Sequence, residues 1–106
     1  MFVNIVEFPP IVPGKEQEFE DWFAWSNDLY APFPGFISRR LLKPTGADGP
    51  YVGIVEHESE ETFMAMHTSE TRAQARTKVE GCFGGERPTP RFYAVVVDSA
   101  RAPRPA

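Results

Sequence analysis

The sequence is poor in the residues on which covalent cross-links and metal sites depend. Its 106 residues include 1 Cys. A lone Cys82 allows no disulfide within the chain and no zinc site built from several thiolates. The chain also has no apolar run near the roughly 18 residues of a membrane span. It shows no basic leader before MFVNIVEF either, so we expect no membrane contact, no signal peptide and a cytoplasmic location.

Positive charge is also in the minority. The 15 acidic residues outnumber the 11 basic ones, which gives a formal net charge of -4 and a pI near 5.1. Because phosphate backbones are bound by clustered Lys and Arg, no nucleic-acid partner is expected. What the chain does have is a 42% share of hydrophobic residues and a 13% share of aromatic ones. That content is enough for one domain that folds without disulfides or a structural metal.

Apolar runs bounded by Pro and Gly predict the order of the secondary structure. Strands are predicted at residues 1–8, 36–43, 51–58 and 91–98, and the turn formers of residues 44–50 join the middle two into a hairpin. Apolar residues at three- and four-residue spacing predict a first helix over residues 15–30. Ser59 is a candidate N-cap of a second helix, which breaks at Thr68-Ser69 and restarts over residues 70–79.

This order, β-α-β-β-α-β, is typical of the ferredoxin-like α+β fold, a split βαβ unit with one antiparallel four-stranded sheet. We expect one domain over residues 1–98 and a disordered tail over residues 99–106. Strands one and four are apolar on both sides, whereas the two predicted helices can cover only one face. A second copy of the same sheet is the simplest cover for the other face, so the pattern favours a homodimer.

Several motifs resemble the antibiotic biosynthesis monooxygenase (ABM) family. They are Pro13-Gly14 before the first helix, PGF at residues 34–36, LLKP at residues 41–44 and EHESEETF at residues 56–63. The resemblance covers residues 1–98 and implies a dimeric α+β barrel with a pocket between helices and sheet. It further implies one of several functions: cofactor-free oxidation of a small aromatic or quinol-like molecule by O2, haem binding or degradation, or ligand binding without catalysis.

The haem-degrading members imply three further residues. In these members, an Asn lies on strand one and a Trp lies on the second helix within an F-x-x-W motif. A His nine or ten residues after that Trp binds the iron. Here the motif reads from Phe63 to Met66, and the ligand position falls on Ala75 or Arg76. An ungapped alignment places Glu7 at the Asn position, and Asn4 is the nearest asparagine. This pattern favours a protein without a cofactor, with haem as the alternative, and no metal ligands are proposed.

Two side chains are candidate bases. His67 shares a helical face with Phe63, and a neutral imidazole in an apolar pocket can take a proton from a phenol or anthrone. The alternative is a histidine that is hydrogen-bonded near the surface or the interface. Glu7 interrupts an apolar strand, and a buried carboxylate there needs a partner, such as Arg39 or Arg40, or a raised pKa. A salt bridge at an edge or interface is the alternative.

The remaining candidates bind substrate rather than react with it. They combine flat or adaptable apolar side chains with one amide: Asn4, Trp22, Phe23, Phe63 and Met66. Aromatic rings and thioethers suit a pocket for flat apolar ligands, although packing in the core is the competing explanation for each of them.

Overall fold

The computed structural model describes residues 1–46 and 49–99. Strands and helices follow one another in the predicted order, and the second predicted helix is divided in two, as expected. The elements are β1 Phe2–Glu7, α1 Glu16–Tyr30, β2 Phe36–Leu42, β3 Val52–His57, α2 Glu60–His67, α3 Glu70–Thr77 and β4 Thr89–Ala94. The predicted ferredoxin-like α+β fold is confirmed.

The sheet has the order β2-β3-β1-β4, and every neighbouring pair is antiparallel. Side chains alternate between its two faces, so β1 has one row facing the helices and one facing away. Phe2 and Asn4 belong to the helix-facing row and are buried. Glu7 belongs to the other row and is exposed.

Strand β4 is shorter than predicted. It ends at Ala94 rather than at residue 98. Beyond it, the Val95 amide donates a hydrogen bond to the Met1 carbonyl at 2.9 Å. Val96 and Val97 are consequently 89% and 88% exposed. Hydrophobic pattern alone does not show where the pairing of β4 with β1 stops.

Side-chain caps start both short helices where the sequence predicts them. The Ser59 hydroxyl accepts a hydrogen bond from the Thr62 amide at 3.1 Å, and the Ser69 hydroxyl accepts one from the Arg72 amide at 3.1 Å. Each satisfies one of the amides that a first helical turn leaves unpaired. Ser69 lies between α2, which ends at His67, and α3, which begins at Glu70. The first turn of α3 is therefore only three residues from that histidine.

Aromatic rings fill one end of the space between helices and sheet. Phe19 is fully buried, with its ring centroid 4.9 Å from that of Phe8 and 5.0 Å from that of Tyr51, both in edge contacts. Such pairs add about 0.5–1.5 kcal/mol each to the area they bury. We call this the aromatic cluster: Phe8, Phe19, Phe23, Tyr51, Val79, Cys82 and Phe83.

Two predictions fall partly outside the described residues. The predicted turn at residues 44–50 includes residues 47 and 48, and the predicted disordered tail lies outside them from residue 100 onward. Among the described residues, no helix has the length and apolar character needed to cross a membrane.

Candidate functional site

A cavity of about 340 Å³ lies between the helix-facing side of the sheet and the three helices. Its volume is within the range of small-molecule sites, roughly 300–1,000 Å³. Part of the aromatic cluster forms one side, and the beginning of α3 with the end of α2 forms the other. The predicted residues that line it are Asn4, Trp22, Phe23, Phe63, Met66 and His67.

Glu7 is not brought to this cavity. Its carboxylate is exposed on the opposite side of β1 and borders a separate hollow. The expectation of a buried carboxylate is therefore wrong for the single chain, because alternation along β1 turns Glu7 away from the helices. The suggested pairing with Arg39 is also wrong, since that side chain binds α1 instead.

His67 is the last residue of α2, and its ring is half-buried against the cavity wall. It stacks on Phe63 with 5.1 Å between ring centroids, and Phe92 lies edge-on at 6.5 Å. Burial lowers the pKa of His67 below its ordinary value of 6.5, and the charges of Arg72 and Arg76 lower it further. The imidazole is therefore neutral at pH 7 and has a lone pair that can accept a proton.

Asn4 gives the cavity its buried amide. The residue is 4% exposed, and its Oδ1 has no hydrogen-bond partner among the described residues. A buried polar atom without a partner carries a desolvation penalty of about 1–3 kcal/mol, which a ligand can relieve by donating a hydrogen bond. The structure thus places Asn4, and not Glu7, in the cavity.

Arg39 reaches from β2 to α1 across one end of the cavity. Its Nη1 donates to the Ser26 hydroxyl at 2.7 Å, the Asn27 side-chain oxygen at 2.8 Å and the Phe23 carbonyl at 3.2 Å. The guanidinium also lies over the rings of Phe23, at 3.8 Å, and Tyr30, at 4.8 Å. Burial lowers the pKa of Arg39 to about 10, and a neighbouring cation contributes to that change.

Three more arginines line the cavity, and the sequence analysis missed all of them. Arg72 and Arg76 project from α3, and Arg87 lies on the loop that leads to β4. The signal that could have found the first two is their spacing of four, which puts both side chains on one face of a helix. Without the fold, such a pair is equally typical of a solvated helix surface.

The haem-ligand position of the resemblance offers no donor to iron. Ala75 is 1% exposed, and its carbonyl accepts a hydrogen bond from the Trp22 Nε1 at 2.8 Å. Arg76, the alternative position, is a permanent cation without a lone pair. His67 is the one imidazole that lines the cavity, and within residues 1–46 and 49–99 no group of His, Cys, Asp and Glu could hold a metal ion.

His57, the second histidine, lies outside the cavity at the end of β3. It is fully buried, its Nδ1 is 3.1 Å from the Thr62 hydroxyl, and its Nε2 has no described partner. Its ring packs edge-on against Phe36 and Phe63, both at 5.7 Å. Burial lowers the pKa of His57 below 6.5, so it is a neutral packing residue at pH 7.

Comparison with known proteins gives a consistent result. The family model described as "Antibiotic biosynthesis monooxygenase" matches residues 1–78. A search of curated protein sequences finds no match to this chain. Solved structures match over almost the whole length, at identities that show the fold alone.

Three of these structures illustrate the range. A variant of SnoaB, a cofactor-independent oxygenase from Streptomyces nogalater, has a TM-score of 0.78 at 19% identity, over 94% of this chain and 98% of that one. The haem-degrading protein Rv3592 from Mycobacterium tuberculosis has a TM-score of 0.70 at 23% identity, over 94% and 96%. Rv0793 from the same organism has a TM-score of 0.77 at 14% identity, over 93% and 98%.

Proposed function

Because the chain belongs to the antibiotic biosynthesis monooxygenase family, we propose that it is a cofactor-independent monooxygenase that oxidises a small aromatic or quinol-like substrate with O2. The observation that carries this proposal is a neutral imidazole on the wall of a largely apolar cavity of about 340 Å³. Two structural relatives, a cofactor-independent oxygenase and a haem-degrading protein, frame the choice of chemistry.

In this mechanism His67 acts as the general base. Its Nε2 or Nδ1 takes a proton from an acidic phenol, or from a methylene group that is activated like that of an anthrone, and leaves an electron-rich carbanion or phenolate. The imidazolium that forms and the nearby guanidiniums are cations, so the cavity offsets the negative charge that develops on the substrate. Removal of water by the apolar walls strengthens those interactions.

The substrate itself supplies the electrons for the reaction with O2. The anion transfers electrons to O2 and forms a carbon–oxygen bond, and the resulting hydroperoxide loses water to give a ketone. Conversion of a methylene to a ketone yields four electrons, which is what O2 needs when one oxygen atom enters the product and the other leaves as water. No external reductant is therefore required.

The substrate-binding roles follow from the positions of the side chains. We propose that Trp22, Phe23, Phe63 and Met66 hold the faces and edges of the ring system. Asn4 would accept a hydrogen bond from a substrate hydroxyl through its unpaired Oδ1. The base role proposed for Glu7 would require a site on the other face of the sheet, so His67 carries the mechanism here.

Haem binding or degradation is the second candidate function. What favours it is a lone-pair nitrogen, that of His67, in a cavity whose arginines could pair with carboxylate groups. What disfavours it is Ala75 at the expected ligand position. A ligand-binding protein without catalysis is the third candidate, since the same apolar walls would serve it.

We also propose a homodimer located in the cytoplasm. The face of the sheet that no helix covers includes Leu42 and Tyr93, which are 44% and 47% exposed in the single chain. A second sheet laid over this face would bury them. Light scattering at micromolar concentration tests the assembly, and a monomer would contradict it.

The function is tested by oxygen consumption. Purified protein is mixed with an anthrone or a quinol in air-saturated buffer, in parallel with His67→Gln. Uptake of O2 that exceeds the spontaneous rate and falls in the variant supports the proposal. A haemin titration is run beside it: a saturable Soret shift followed by bleaching on addition of reductant, with no oxidation of the quinol or anthrone, would replace the proposal with haem degradation.

A further inference from the structure

The cavity has a charge opposite to that of the chain. The protein carries a formal charge of -4, yet four of its 11 basic residues line this one cavity: Arg39, Arg72, Arg76 and Arg87. None of the acidic residues within residues 1–46 and 49–99 is among the residues that line it. Random placement on an acidic protein would bring carboxylates to the same wall, so the separation of charge needs a physical reason.

These guanidiniums lack the counter-charges that proteins normally supply. Within residues 1–46 and 49–99 an ion pair joins Lys15 to Glu18, on the exposed start of α1, and none joins a cavity arginine to a carboxylate of those ranges. Over the same ranges the side chains of Arg72, Arg76 and Arg87 have neither a hydrogen bond nor an ion pair, and Arg39 binds uncharged oxygens alone. Arg39 and Arg72 are partly buried, whereas Arg76 and Arg87 are exposed to solvent. A partly buried cation without an anion is unfavourable, and an incoming anion would relieve that for Arg72.

Two of the arginines are placed to act together. Arg72 and Arg76 are four residues apart on α3, a spacing at which like charges destabilise a helix. Burial lowers the pKa of Arg72 and that of His67; the charge of Arg76 lowers both further, and the charge of Arg72 also lowers that of His67. A planar carboxylate that accepts hydrogen bonds from one or both guanidiniums would replace this repulsion with attraction.

The cavity is also lined by aromatic rings. Phe8, Phe23 and Phe83 present rings from the aromatic cluster, and Phe63 adds another from α2. Several apolar rings, together with the guanidiniums of Arg72 and Arg76, match a ligand with a flat aromatic body and a charged end. An uncharged aromatic ligand would leave the guanidiniums unpaired.

We propose that the cavity selects an aromatic carboxylic acid, whose ring system packs against the phenylalanines and whose ionised carboxylate is bound by Arg72 and Arg76. The identification of this ligand as the substrate rests on the proposed function. The binding of an aromatic carboxylic acid in the cavity does not depend on that function. The bound carboxylate would lie near His67. The proton that His67 removes would be on the ring system of the ligand, between the arginines and the phenylalanines.

The test uses two probes that differ in charge alone. Anthracene-2-carboxylate and anthracene-2-carboxamide have nearly the same shape, and their binding can be followed by calorimetry at low and at moderate salt. Hydrogen bonds between charged groups are stronger than those between neutral groups, so the wild-type protein is expected to bind the carboxylate at least tenfold more tightly. Added salt should narrow that difference, since exposed charges are screened.

Variants assign the selectivity to residues. In Arg72→Gln/Arg76→Gln the preference for the carboxylate should fall below about threefold, while the affinity for the carboxamide stays unchanged. Arg72→Lys/Arg76→Lys should restore part of the preference. Lys15→Gln/Lys43→Gln removes the same charge at residues that do not line the cavity and should leave the preference intact. Circular dichroism checks that all variants are folded.

Three results would overturn the inference. They are equal affinity of the wild-type protein for both probes, no binding of either probe up to millimolar concentration, and an equal loss of preference in the distant lysine variant, which would show an effect of net charge alone. Oxygen uptake separates this inference from the proposed function. Selective binding without turnover counts against the enzyme, and turnover with no preference for the carboxylate counts against the anion site.

Discussion

The two sides of the cavity are built on different physical principles. On one side, the aromatic cluster packs rings against rings, and Phe19 at its centre has no exposed surface. On the other, His67 with Arg72 and Arg76 brings one titratable and two permanently charged groups together without a carboxylate. The first arrangement buries apolar rings and stabilises the folded chain, whereas the second brings two like charges close together on one helix. The contrast predicts that substitutions on the first side change stability, whereas substitutions on the second side change ligand binding.

The largest effect is expected from His67→Gln. Loss of a general base reduces a rate by about 10²–10⁴-fold. The wild-type rate should also fall on acidification with a midpoint below pH 6.5, because the pKa of His67 is lowered and its neutral form is the base. Steady-state kinetics across pH measures both effects. Met64→Gln, an exposed position on the same helix, is the control, and an unchanged rate in His67→Gln would remove the histidine from the mechanism.

The next effect is on stability, from the opposite side of the cavity. Phe19→Ala removes a fully buried ring and should lower the free energy of unfolding by about 3–5 kcal/mol. Urea denaturation measures this change. Trp25→Phe, at a position that is 41% exposed, should change stability by less than about 1 kcal/mol. If the two substitutions had similar effects, the aromatic cluster would not be the stabilising side.

A moderate effect is expected from acid, through His57. Its folded-state pKa is lowered, so below pH 6.5 the unfolded chain binds a proton that the folded chain resists. The free energy of unfolding should therefore decrease as pH falls from 6.5 to the folded pKa, by about 1.4 kcal/mol for each unit of difference. Urea denaturation of wild type and His57→Gln from pH 7.5 to pH 5 measures the slope. Identical slopes would show that other groups cause the loss.

The smallest effect is expected from Arg72→Gln/Arg76→Gln in the absence of ligand. The substitution removes repulsion between neighbouring cations and no described hydrogen bond of their side chains, so stability should stay within about 0.5 kcal/mol of wild type or rise. Thermal unfolding followed by circular dichroism detects this. A clear loss of stability would mean that the arginines support the fold, and the contrast between the two sides would disappear.

The sequence predicted the fold well because its signals are local. Ser59 and Ser69 begin helices through bonds to residues three positions later, and such patterns can be read without knowledge of the fold. The bounds of β4 could not be read in this way. The strand ends at Ala94, opposite Phe2, so its extent depends on pairing with a residue more than 90 positions away.

The site was predicted in part, for a related reason. His67 and Phe63 share a helical face, so their common placement follows from helical geometry. Asn4 and Glu7 are on opposite faces of β1, and the sequence alone did not decide which face the helices cover. Arg72 and Arg76 were missed because cations on a short polar helix are typical of a solvated surface. Only the tertiary structure shows that this helix forms the wall of a cavity.

One hydrogen bond described above makes the width of the cavity an observable quantity. The Trp22 indole lines the cavity and donates to the Ala75 carbonyl at 2.8 Å, so it connects the helix that carries the rings to the helix that carries the arginines. Any ligand that spreads the two helices must stretch or break this bond and expose the indole to water. With Trp25 replaced by Phe, Trp22 is the sole indole of the chain. The wavelength of its fluorescence emission then reports the separation of the two helices.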